Sequence, residues 1–205
     1  MPSSVQGVLF DLGGVVIDWS PLHLYRKFFA DKPEVTERFL REICPLEWNE
    51  IQDAGRSLEN ATRERVNQFP EWQEAIEAYY GRWEEMIAGP IRGTDGIILD
   101  LYESGVRLFA LSNWSAETFP LIRDKFPVLK MFEKMFISGD YQCAKPDPAF
   151  FEAALEEIDV ARNKLLFIDD NRRNVDAALG IGLPSIEFVD SIQLRSALVA
   201  IGILN

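Results

Sequence analysis

Four short stretches carry side chains that can do chemistry, and each follows an apolar run. Asp11 ends the run GVLF at residues 7–10. Ser112 and Asn113 follow Val106–Leu111. Lys145 lies in GDYQCAKPDP, after Met135–Ser138. Asp169 and Asp170 follow Leu165–Ile168. A carboxylate on the end of a strand is held in place and can be a nucleophile or a metal ligand. Three carboxylates gathered together repel one another, and a hard divalent cation with oxygen ligands, magnesium above all, resolves that repulsion. Lys145 offers a point positive charge, and Pro146 biases it toward extended backbone that aims its stem. Ser112, at a strand-to-helix turn, presents a hydroxyl and neighbouring backbone N–H groups to an anion. These are the parts needed to move a phosphoryl group onto Asp11.

Such parts work only if the fold brings them to one rim. The strand-like runs Val5–Phe10, Val106–Leu111, Met135–Ser138, Leu165–Ile168 and Ser185–Phe188 alternate with helical patterns at Ile97–Glu103, Ala116–Phe126, Asp147–Ile158, Asn171–Leu179 and Ser191–Ile201. Asp147 followed by Pro148 is a helix start, with an N-cap carboxylate and a proline in the first turn. Strands alternating with helices predict an α/β fold, a doubly wound parallel sheet covered on both faces. Ligands of such sheets sit beyond the carboxyl ends of the strands, which is where all four stretches lie. From about Trp19 to Pro90 the alternation stops and no strand is expected. EVTERFLREI, SLENATRERVNQF and EWQEAIEAYYGRWEEMI read as amphipathic helices. The expected organisation is a core of residues 1–18 and 92–205 with a helical insertion at 19–91, ending in the Gly/Pro-rich hinge GPIRGTDG.

The order D-x-x-G-V, S-N, K-P and D-D resembles the haloacid dehalogenase superfamily of hydrolases, and the resemblance spans the whole chain. It implies a Rossmann-like core and a helical cap that closes over the site and sets much of the specificity. By residue, it implies Asp11 as nucleophile, and Ser112 and Lys145 as phosphate holders and catalytic groups, with Asn113 beside them. It implies a magnesium ion on Asp11, the backbone carbonyl of Gly13, Asp169 and Asp170. The substrate implied is a small phosphorylated metabolite, sugar phosphate-like, and the intermediate an aspartyl-phosphate.

One position departs from the phosphatase pattern D-x-D. The second aspartate, the general acid and base, is replaced by Gly13. General acid–base help is worth roughly 10²–10⁴-fold, so leaving groups that need little protonation are favoured. Asp18 and Glu47 are candidate substitutes. His23, the one histidine, is read as packed or exposed. Trp19 and Trp114 are placed near the cleft mouth, mainly as packing residues, and Asn174 either orients the site or faces solvent. A branch of the superfamily with D-L-G-(G/N)-V in the first motif includes sugar-phosphate phosphatases. Two rival readings stand beside a phosphatase: a 2-haloacid dehalogenase using the same carboxylate, and a non-catalytic binder of phosphometabolites. Dehalogenases of the superfamily are metal-free and carry Ser and Asn where this chain has Asp169 and Asp170, which favours the phosphatase.

The composition bounds the rest. The chain has 205 residues, 47% of them apolar, and a net charge of -12. That field repels phosphate backbones, so nucleic acid is not expected as a partner. No run of about 18 uncharged apolar residues exists to span a membrane. The N-terminal MPSSVQGVLFD lacks a basic segment followed by a long apolar run, so no secretion signal is expected. Cys44 and Cys143 are two isolated thiols, in keeping with a reducing, cytoplasmic setting. The sequence carries no signal of oligomeric state.

Overall fold

The computed structural model describes residues 5–30 and 32–204; the first four residues, part of the stretch read for a secretion signal, lie outside it. The chain runs β1 (Gly7–Phe10), β2 (Ile17–Trp19), α1 (Pro21–Phe28), α2 (Pro33–Arg38), α3 (Leu46–Asp53), α4 (Leu58–Gln68), α5 (Gln73–Gly81) and β3 (Ile87–Pro90). It continues with α6 (Thr94–Glu103), β4 (Arg107–Ser112), α7 (Phe119–Arg123), β5 (Lys134–Ile137), α8 (Ser138–Tyr141) and α9 (Pro148–Glu156). It closes with β6 (Leu165–Asp169), α10 (Arg172–Gly180), β7 (Ser185–Glu187) and α11 (Ser191–Ala200). Five strands form one parallel sheet in the order β5-β4-β1-β6-β7. The expected doubly wound α/β core is present.

Alternation along the strands builds the two faces of the sheet. Leu9, Phe109, Leu111, Phe136 and Phe167 point to one side, against Phe150 and Phe151 of α9 and Ala178 of α10. Val8, Phe10, Leu108, Ala110, Leu166 and Ile168 point to the other, in the cluster that includes Ile97, Ile98 and Leu101 of α6 and Leu194 and Leu198 of α11. The central strand β1 is buried along its whole length, as a strand covered on both faces must be. Its register pairs Phe10 with Ala110 on β4 and with Ile168 on β6. The next residues along, Asp11, Leu111 and Asp169, therefore stand at one level at this end of the sheet.

Residues 21–86 are helical apart from their turns. They pack through an aromatic cluster in which Tyr25 lies 4.5 Å from Phe39 and 6.0 Å from Tyr79, ring centre to ring centre. The Tyr25 hydroxyl donates to the Ala75 carbonyl at 2.8 Å, tying α1 to α5. The helix expected over EVTERFLREI is α2 continued by a π-helical turn at Phe39–Ile43. The one expected over EWQEAIEAYYGRWEEMI ends at Gly81 and gives way to a 3₁₀ turn at Trp83–Met86.

The expectation of no strand in this region is corrected by the structure. Ile17–Trp19 and Ile87–Pro90 pair as a two-stranded antiparallel ribbon, with Ile17 opposite Pro90 and Trp19 opposite Ile87. The ribbon joins the two passages of chain between the sheet and the helices. Its strands are too short to show alternation, and one contains Gly89 and Pro90, residues depleted in strands. At an edge Pro90 leaves no ladder donor missing.

Candidate active site

Asp11 is held at the end of β1 by its own backbone N–H, which donates to the Ile168 carbonyl at 2.8 Å. Three donors converge on one oxygen of its buried side chain. Oδ1 accepts from the Leu12 backbone N–H at 2.7 Å and from the Ser112 hydroxyl at 2.8 Å, and it lies 3.1 Å from Lys145 Nζ. Burial pushes the Asp11 carboxyl up to about 7; Lys145 and Ser112 pull it down while Asp169 and Asp170 push it further up.

Asp169 is fully buried and hydrogen-bonded at both oxygens. Oδ2 receives Lys145 Nζ at 2.7 Å, Oδ1 receives the Asn171 N–H at 2.8 Å, and Asn174 Nδ2 reaches both oxygens at 3.1 Å. Asn174 therefore orients the site. Asn171 accepts from the Arg173 N–H at 3.0 Å and so caps α10. Lys145 is also buried. Burial works against its charge, but Asp11 and Asp169 outweigh it and hold the ammonium above the ordinary lysine value. Asn113 places it: the Asn113 side chain donates to the Lys145 carbonyl and accepts from the Lys145 N–H, both at 2.8 Å. The amide expected beside the phosphate is thus engaged with the backbone of Lys145.

Asp170 is the most exposed member of the trio, but its carboxyl is still partly buried, which raises its pKa, with Asp169 adding repulsion. It lies over the turn after β1. Gly14 adopts φ +78°, and a Cβ there would sit 2.2 Å from Asp170 Oδ2, so the second glycine of the LGG turn is required twice over. At Gly13 the opposite holds: a Cβ would meet nothing within 4 Å.

Asp11, Asp169 and Asp170 each offer an oxygen within 4.8 Å of the others. Three carboxylates face one buried ammonium, which leaves negative charge for a cation to balance. The donor set is all oxygen, as a hard divalent ion prefers. The residues present fit magnesium.

A cleft opens over this cluster. Its walls include Asp11, Gly13, Ser112, Asn113, Asp170 and Asn174 from the sheet side, and Pro21, Leu46, Asn49, Glu50 and Asp53 from α1 and α3. A smaller cavity of about 40 Å³ adjoins it, lined by Gly13, Trp19, Asn49, Asp53, Trp83, Asn113 and Trp114. The sequence reading did not single out Glu50 or Asp53; in LEWNEIQDAG nothing distinguishes them from any acidic residue on a helix. Asp18 and Glu47 stand elsewhere. Asp18 Oδ1 is 2.8 Å from His23 Nε2, and Glu47 lines a different groove, with Leu40 and Cys44. Trp19 and Trp114 do border the site, and Trp114 packs edge-on against Trp83 at 5.5 Å.

The family model described as Haloacid dehalogenase-like hydrolase matches residues 8–188 of this chain. The sesquiterpene phosphatase astK of Aspergillus oryzae is 24% identical over 193 residues, which cover 94% of each chain. Among solved structures, a family enzyme of Bacteroides thetaiotaomicron in complex with magnesium and inorganic phosphate superposes with a TM-score of 0.67. It is 20% identical, and the match covers 91% of this chain and 95% of that one. The L-2-haloacid dehalogenase of Xanthobacter autotrophicus with chloropropionic acid covalently bound gives a TM-score of 0.64 at 14% identity, over 96% of this chain and 83% of that one.

Proposed function

Because the chain belongs to the haloacid dehalogenase-like hydrolases, we propose that it is a magnesium-dependent phosphatase working through an aspartyl-phosphate on Asp11. The observation that carries this reading is the buried Asp11–Lys145–Asp169 triad with Ser112 on its flank and Asp170 at its mouth. Asp11 Oδ1 accepts all three converging bonds, so Oδ2 is the oxygen that attacks phosphorus. Lys145 offsets charge on the phosphoryl oxygens, and the Ser112 hydroxyl, freed from Asp11, donates to one of them. Asp11, the Gly13 carbonyl, Asp169 and Asp170 are the groups that would hold magnesium. When bound, it supplies positive charge that balances the carboxylates and the incoming phosphate.

The same trio argues against the dehalogenase reading, because an aspartate pair without a cation would repel a substrate carboxylate. For the substrate, a relative that matches over nearly its full length is named a sesquiterpene phosphatase. The cleft itself offers apolar surface at Trp19, Pro21 and Leu46. Both point to an organic monophosphate with an apolar group, rather than the sugar phosphate suggested by the first motif. Residues 19–91 serve as the cap, with α1 and α3 forming the roof of the cleft.

The test is release of inorganic phosphate from prenyl, sugar, acyl and aryl phosphates, with magnesium and with chelator. Metal-dependent release that Asp11→Asn abolishes supports the proposal. Halide release from 2-haloacids without metal, and no phosphate release, would replace it with the dehalogenase.

A further inference from the structure

We propose that Asp53, on the last turn of α3, is the general acid and base of this site, in the role that Gly13 leaves without a carboxylate. The inference rests on the phosphatase reading and extends it. A carboxylate from the cap takes the place of one that related sites carry on the strand-end turn.

Three observations place it. First, the space is there: a side chain at Gly13 would meet nothing within 4 Å. Asp53 borders the same small cavity as Gly13 and also the main cleft with Asp11 and Ser112. Second, the side chain is anchored yet reachable. Asn49 Nδ2 donates to its Oδ2 at 2.7 Å, and the Ser115 backbone N–H faces it from the loop that carries Ser112. Ser138 donates to the Asp53 carbonyl, and its hydroxyl also receives the Trp114 backbone N–H at 2.9 Å. Asp53 stays partly exposed. Third, unpaired donors belong to the residues that line the cavity. Trp19 and Trp114 line it, and their buried indole N–H groups have no acceptor among the described residues. Its volume of about 40 Å³ suits a leaving-group oxygen or one water.

The surroundings set the protonation state. Burial raises the Asp53 carboxyl well above the usual aspartate value, with Glu50 on its own helix and Asp11 just past β1 adding repulsion. Tyr79 and Tyr80 face it from α5. A carboxyl that holds its proton can give it to a leaving oxygen. Other acidic side chains are less suited. Glu50 is exposed and lies 3.9 Å from Arg173, Asp18 pairs with His23, and Asp170 belongs to the acidic trio.

The chemistry balances in two steps. Asp11 Oδ2 attacks phosphorus, the bond from phosphorus to the leaving oxygen breaks, and that oxygen takes the Asp53 proton. A water then attacks the phosphorus of the aspartyl-phosphate and gives a proton to Asp53 carboxylate. The bond from phosphorus to Asp11 breaks, and phosphate leaves with Asp53 protonated again.

The experiment uses para-nitrophenyl phosphate, whose leaving group needs no proton, and octyl phosphate, whose leaving group does. Wild type, Asp53→Asn, Asp11→Asn and Asp53→Asn with Gly13→Asp are compared in magnesium. Asp53→Asn is expected to lose roughly 10²–10⁴-fold in octyl phosphate turnover. On the aryl ester it should give a stoichiometric burst of nitrophenolate, then slow hydrolysis of a phosphoenzyme. Gly13→Asp in that background should restore turnover, since the new side chain enters open space. Asp53→Asn that stays within about threefold of wild type on both esters overturns the proposal, being far below the effect of losing an acid–base group. Should the variant show no burst, recovery by Gly13→Asp supports the proposal and no recovery overturns it. Wild type with no phosphate release and no phosphoenzyme overturns the phosphatase reading itself, and this inference with it.

Discussion

A buried ion pair is most informative when one partner is removed. Lys145 sits between Asp11 and Asp169 at 3.1 and 2.7 Å with almost no exposure. Lys145→Met keeps the stem and deletes the charge, leaving two buried carboxylates facing each other. Loss of about 3–5 kcal/mol in unfolding free energy is expected, as for other broken buried pairs, and urea denaturation measures it. Asp53 gives the opposite sign. Its folded pKa lies above the ordinary 3.8, so as pH rises the unfolded chain releases this proton first. Rising pH then favours the unfolded state, from about pH 4 up to the folded value. Asparagine has no proton to release. Asp53→Asn should therefore match wild type near pH 4 and be the more stable protein at pH 8, shown by urea midpoints at the two pH values. A gain in stability with a loss of turnover is what a strained functional carboxylate predicts.

At the scale of elements, the turn after β1 makes a test from two adjacent glycines. Gly14→Ala forces a Cβ into the Asp170 carboxylate at a positive φ, and should cost about 1–3 kcal/mol. Gly13→Ala meets nothing within 4 Å and should melt close to wild type; thermal melts of the two variants make the comparison. The same turn illustrates what a sequence can reveal. Strands β1, β4, β5, β6 and β7 were legible because apolar runs of four to six residues between turn signals have few other uses. Their carboxyl ends named Asp11, Ser112, Lys145, Asp169 and Asp170 together, because in a parallel sheet chain order fixes which rim a residue meets. The ribbon of β2 and β3 was not legible: its strands are too short for a period, and Pro90 argues against a strand. Asp53 was hidden for a different reason. Its approach to Gly13 depends on how α3 docks on the loop after β4, through Ser115, and on the start of α8, through Ser138, and no local pattern encodes a docking angle. Asn113 was seen, but its use was not, since its partner Lys145 lies 32 residues away.

The molecule as a whole carries a net charge of -12, and none of its described helices is long and apolar enough to cross a membrane. A phosphate monoester approaching this protein meets repulsion before it meets Lys145, which is buried at the bottom of the site. Two arginines beside the cleft are already matched: Arg173 lies 3.9 Å from Glu50, and Arg172 pairs with Asp176 and Glu187 at 2.8 and 3.2 Å. Enzymes that steer anionic substrates with a positive field slow down when salt is added. This one should do the reverse. At about 0.01 M salt the repulsion reaches roughly 30 Å, and at 0.15 M only about 8 Å. With magnesium saturating at every point, kcat/KM for an anionic ester should rise several-fold across that range, while kcat stays level because the buried site is screened little. A kcat/KM that falls with salt would mean that the local field at the cleft mouth is positive despite the total charge. The same physics would give a bound cation a second use: by balancing the acidic trio, it would let an acidic protein hold an anion that its own surface repels.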